Sequence, residues 1–126
     1  MDLQLIIRLM HCFPRSFINQ NGEFIAHLKS NTYFRLEDCN TEMDVKSKVL
    51  EWMSRAAYKT EPYKRRDKND EFHSFMLKGI NDFLGTQFTA EEMEQIYTYL
   101  GNACNHEKTV RFVESGYDMG ILEEER

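Results

Sequence analysis

The pattern of apolar and polar positions suggests strands between Phe17 and Leu36 and takes a helical period from Thr41 onward. From Phe17 to Leu36 the sequence reads as β structure, with Glu23-Phe24-Ile25-Ala26-His27-Leu28 as one strand and the β-branched or aromatic Thr32-Tyr33-Phe34-Arg35-Leu36, with alternation, as another. Asn21-Gly22 before the first run predicts a two-residue hairpin turn, because both residue types tolerate a positive φ. Lys29-Ser30-Asn31 predicts a second turn. The expectation is a small antiparallel β-meander over residues 17–36. So few strands are marginal in water alone and must pack on something else.

The period then changes. Thr41 with Asp44 reads as a capping box opening a helix over 42–57, with Val45, Val49, Trp52, Met53 and Ala56 at helical spacing. A second helix is predicted over 70–84. Phe72, Phe75, Met76, Leu77, Ile80, Phe83 and Leu84 cover more than half of its wheel, which predicts the centre of the core, and Gly85 is its C-terminal stop. Thr89 and Glu92 form a second capping box, with Phe88 and Met93 as a hydrophobic staple. They open a helix over 90–100 with Met93, Ile96, Tyr97 and Leu100 inward. A fourth helix over 103–115 carries Ala103, Val110 and Val113 and ends at Gly116. Residues 118–126 read as an acidic tail in which Ile121 and Leu122 can dock. The fold class is therefore α+β, with residues 1–126 as a single domain.

Composition agrees with a folded chain. Of 126 residues, 41% are hydrophobic and 13% aromatic, and no apolar run reaches the ~18 residues a membrane span needs. The apolar start is short, interrupted by Asp2 and Arg8, and lacks the features of a signal peptide. Three cysteines, at 12, 39 and 104, suggest no disulfide framework, and the expected location is the cytoplasm. Net charge is −5 but uneven: residues 54–68 carry six bases against two acids, and residues 89–126 carry nine acids against three bases. Such polarity steers partners rather than shaping a fold.

Few residues point to chemistry. The sequence contains no G-x-S-x-G, no H-E-x-x-H and no glycine-rich phosphate loop, so the expectation is that the protein is not an enzyme. Cys104 and His106, with His11-Cys12 and Cys39, are ligand types for zinc but lack the usual paired spacing, so no cofactor is expected. Asp67, Asn69 and Glu71 alternate like a calcium loop, yet Phe72 stands where its glycine is required. The turn between the second and third helices suggests a helix-turn-helix. Its second helix, however, opens Ala90-Glu91-Glu92-Met93-Glu94, and those carboxylates oppose a phosphate-lined groove. Two binding surfaces remain. One is an acidic face of Glu91, Glu92 and Glu94 with Tyr97 and Tyr99, suited to a basic groove on a partner protein. The other is a basic stretch, Lys64, Arg65, Arg66 and Lys68 within 59–68, suited to nucleic-acid backbone.

The segments NTYFRLED, KVLEWMSRAA, GINDFLGTQFTAEEM, IYTYLGNACNH and FVESGYDMGIL, between Gly22 and Leu122, resemble small proteins of prophages and mobile elements from Gram-positive bacteria. That resemblance carries no catalytic or ligand residues, and the first 16 residues fall outside it, which marks them as peripheral. It implies an accessory protein of the anti-CRISPR kind. The expected function is a phage-encoded, non-enzymatic inhibitor in the bacterial host cell that blocks a host defence protein, such as a Cas9-type nuclease, through its acidic surface. The alternative is a small regulatory protein that binds nucleic acid through residues 59–68.

Overall fold

The computed structural model describes residues 3–25, 32–59, 71–101 and 106–123. In these segments the fold is α+β: six α-helices and a three-stranded antiparallel sheet.

The chain opens with a helix, α1 (Leu3–Cys12), where the sequence suggested a peripheral segment. Leu5, Leu9 and Phe13 recur every four residues and are all buried, so the N-terminal segment is part of the core. The sheet comes next as β1 (Phe17–Ile18), β2 (Glu23–Ile25) and β3 (Tyr33–Arg35), in that spatial order. The β1–β2 connection is not the two-residue hairpin expected. Gly22 has φ 74°, but Asn21 keeps an ordinary negative φ. Asn19 organises the turn instead. Its Oδ1 accepts the amides of Asn21 (3.0 Å) and Glu23 (3.1 Å), while its Nδ2 donates to Glu23 Oε1 at 2.7 Å. A side-chain acceptor thus replaces the backbone geometry that a primed turn would need. Across β2 and β3, Phe24 pairs with Phe34 in register, both buried, with ring centroids 5.3 Å apart. The expected Ala26–Leu28 end of the strand and the Lys29–Asn31 turn lie outside the described residues.

Helix α2 (Glu42–Lys59) starts as its capping box predicts. Thr41 Oγ1 accepts the Asp44 amide at 3.1 Å, and Asp44 Oδ2 accepts the amides of Asn40 and Thr41 at 2.9 and 3.1 Å. This helix, not the next, is the centre of the molecule. It packs against β3, α3 (Glu71–Leu84), α5 (His106–Glu114) and the turn after α4 (Ala90–Ile96). Besides Val45, Val49, Leu50 and Met53, it buries Ser47, Ser54, Ala56 and Ala57. Small residues on several sides let neighbouring backbones approach closely, which a count of large apolar residues does not register. Helix α3 is less enclosed than its sequence implied, and Phe75 is exposed.

Gly85, with φ 73°, ends α3 as expected, and Asn81 fixes the connection to α4. Its carbonyl accepts the amides of Gly85 and Thr86, and its Oδ1 accepts the Phe88 amide and the Thr86 hydroxyl, each at 2.8 Å. Thr89 then opens α4 with a complete capping box to Glu92. The helix reaches the expected length but changes pitch: Tyr97–Gly101 is a π turn. Helix α5 closes with the Tyr117 amide on the Phe112 carbonyl and the Gly116 amide on the Val113 carbonyl, a Schellman ending. Tyr117 takes φ 66°, unusual for a bulky residue. Its ring is held edge-on by Phe88 and Phe112, each at 5.7 Å. The expected acidic tail begins as one more helix, α6 (Met119–Glu123), seated by the buried Leu122. Residues 124–126 lie outside the described segments.

Candidate functional site

The five residues of the expected acidic face divide into two groups. Glu91 and Glu94 on α4, with Gln95, Thr98 and Tyr99, line one shallow concavity of about 270 Å³. These positions form a helical stripe, so α4 and its π continuation present them together. Glu92 is instead committed to the fold. Its Oε1 accepts the Thr89 amide at 2.9 Å, and its own amide donates to Thr89 Oγ1 at 3.2 Å. Tyr97 is also removed from the surface, since it is buried beside Met93, Ile96 and Leu100 in the core. Of the two tyrosines, Tyr99 is the one on the concavity.

The π turn aligns this surface. The Tyr97 amide is shared between the carbonyls of Met93 and Glu94, and the Thr98 hydroxyl also donates to the Glu94 carbonyl at 2.9 Å. Single π turns inside α-helices occur often at functional sites, because the extra residue re-aims the side chains beyond it. Tyr99 is fixed from below by Lys108 of α5, whose ammonium lies 5.2 Å from its ring centroid. Lys108 itself is 4% exposed, so this cation–π contact forms away from bulk water, where it is strongest. The result is two carboxylates and an oriented phenol ring on one concave face. Its chemistry suits an arginine or lysine side chain, which would meet carboxylates and an aromatic surface together.

His106, expected as a ligand type for zinc, serves a different purpose. Its Nδ1 lies 2.7 Å from Oε2 of Glu51, a carboxylate on α2 that is only 4% exposed. The contact ties the first turn of α5 to α2. Glu51 was not legible in the sequence as a site residue. A single acid in an amphipathic helix reads as a solvated position, and only the packing of α5 over α2 encloses it. Cys104 lies outside the described residues. Cys12 and Cys39 are free thiols that burial pushes above the usual range, which favours the protonated form over the thiolate that metals bind. His11 and Cys39 line one groove of about 550 Å³ between α1 and the start of α2. Among the described residues no three His, Cys, Asp or Glu side chains converge as a metal cluster requires. Lys64, Arg65, Arg66 and Lys68 lie outside the described residues. No described helix is long and apolar enough to cross a membrane.

Comparison with protein families, curated proteins and solved structures finds no match to this chain.

Proposed function

We propose that the protein is a non-enzymatic inhibitor that engages a basic surface of a host defence protein through the concavity on α4, in the manner of an anti-CRISPR protein against a Cas9-type nuclease. The observation that carries this reading is the grouping of Glu91, Glu94 and Tyr99 on one concave surface, with the tyrosine ring held in place by a buried lysine. A nuclease channel lined with arginine and lysine to hold nucleic acid is complementary to such a face, and a carboxylate surface competes there with phosphate.

The test is inhibition of target cleavage by a Cas9-type nuclease, comparing the native chain with the Glu91→Lys/Glu94→Lys double variant. Glu92 is left unchanged, because reversing it would break the α4 capping box and confound binding with folding. The expected outcome is inhibition by the native chain that weakens at least tenfold in the variant and declines as salt rises. Absence of inhibition by the native chain, or equal inhibition by the variant, would overturn the proposal.

A further inference from the structure

A second concavity lies on different elements from the acidic one. It measures about 380 Å³ and is lined by Tyr33, Phe34 and Arg35 of β3, Asp38 of the turn after it, and Lys48 and Trp52 of α2. That volume falls in the range of small-ligand sites, roughly 300–1,000 Å³. β3 is an edge strand of the sheet, so this side is not covered by another described strand. Tyr33 is 47% exposed. Lys48 and Trp52 are one helical turn apart, and Arg55 continues the same stripe with its guanidinium 5.9 Å from the Trp52 ring centroid. Lys48 makes no ion pair among the described residues, whereas Arg35 is engaged by Glu37 at 3.2 Å. The indole Nε1 of Trp52 is buried with no hydrogen-bond partner, a condition that buried donors in native proteins rarely tolerate.

We propose that this cleft between β3 and α2 binds single-stranded nucleic acid, with bases stacking on Tyr33 and Trp52 and the backbone phosphates held by Lys48 and Arg55. Two aromatic residues beside two cations is the combination such binding needs, because every base has a π-face and every linkage a negative charge. The same combination suits a folded duplex poorly, since paired bases are not free to stack on side chains. The surrounding acids, Asp38 and Glu37, limit the charge contribution, so stacking supplies most of the affinity. This differs from the basic stretch at 59–68 as the contact surface and does not depend on the acidic concavity.

Trp52 is the protein's only tryptophan, so its fluorescence reports this cleft alone. The experiment titrates the full chain with short oligothymidylate and oligouridylate strands at low salt. The expected result is saturable quenching of the Trp52 emission by at least one of the two strands. Log affinity should fall with log salt at a slope of about −1.4, the value for two phosphate contacts on a single strand. Tyr33→Ala and Lys48→Glu should each weaken binding about tenfold, the equivalent of about 1.4 kcal/mol. Both positions lie on the surface of the cleft rather than in the core, and circular dichroism of each variant is the check that it remains folded. Four results would each overturn the proposal: no quenching by either strand, equal quenching by polyglutamate, equal affinity for a duplex, or unchanged affinity in both variants.

Discussion

Gly79 lies in the middle of α3, where glycine normally costs a helix about 1 kcal/mol relative to alanine. The packing of α1 explains it. A Cβ at this position would stand 2.7 Å from the Cys12 carbonyl oxygen and 2.7 Å from the Phe13 ring. The carbonyl belongs to backbone and cannot rotate away. Overpacking of this kind typically costs ~1–3 kcal/mol, enough to cancel or exceed the propensity gain. Gly79→Ala is therefore expected to lower the urea midpoint, whereas the same change in an uncrowded helix would raise it. A higher midpoint would show that α1 does not seat on α3 as described. Residues of this kind resist sequence reading for a simple reason. Their role is defined by an atom far away along the chain, and the glycine itself offers only the absence of a side chain. Glu51 belongs to the same class, since nothing near it in sequence announces His106.

At the level of elements, the caps were the most legible features. Thr41 with Asp44 and Thr89 with Glu92 are local patterns whose partners lie three residues apart, so chain chemistry alone specifies them. Asp44 allows a direct test. Amides of Asn40 and Thr41 and the Thr41 hydroxyl hold its carboxyl below the ordinary value of 3.8, with nearby His106 adding to the effect. A lowered folded value means that the charged form is stabilised in the native state. Its contribution is complete above the unfolded value and is lost as pH falls through the folded one. The stability advantage of the native chain over Asp44→Asn should thus be constant near neutrality and shrink below about pH 4. Denaturation series at several pH values check this, and a difference that stayed constant down to about pH 2 would remove the charge from the explanation. The pitch of the third predicted helix was not legible. Tyr97-Thr98-Tyr99-Leu100-Gly101 continues the apolar period, and nothing in that period distinguishes the π turn, which packs on α2 and meets Lys108 of α5 through Tyr99, from an α turn. The hairpin turn shows the same limit. Asn21-Gly22 marked the right place, but Asn19 determined the geometry.

For the whole molecule, the N-terminal segment departs most from the sequence expectation. Leu9 is fully buried within a core that also contains Ile80 and Phe83 of α3. Leu9→Ala should therefore cost ~2–5 kcal/mol, a large share of the ~5–15 kcal/mol available to a domain of this size. A peripheral helix would lose no more than about 0.5 kcal/mol. Thermal or urea denaturation separates the two outcomes, and a negligible loss would return residues 3–13 to the periphery. The sequence by itself determined the fold class, the capped starts of α2 and α4, the end of α3 at Gly85 and the uneven charge, because period, caps and net charge are properties of neighbouring residues. It also marked α4 as acidic. Only the tertiary structure decided that α2 is the central helix, that Glu92 and Tyr97 serve the fold while Glu91, Glu94 and Tyr99 share a surface, and that Tyr33 and Trp52 line one cleft between β3 and α2. Those outcomes depend on which distant elements pack together, and exposure is a property of the packed molecule rather than of a residue type.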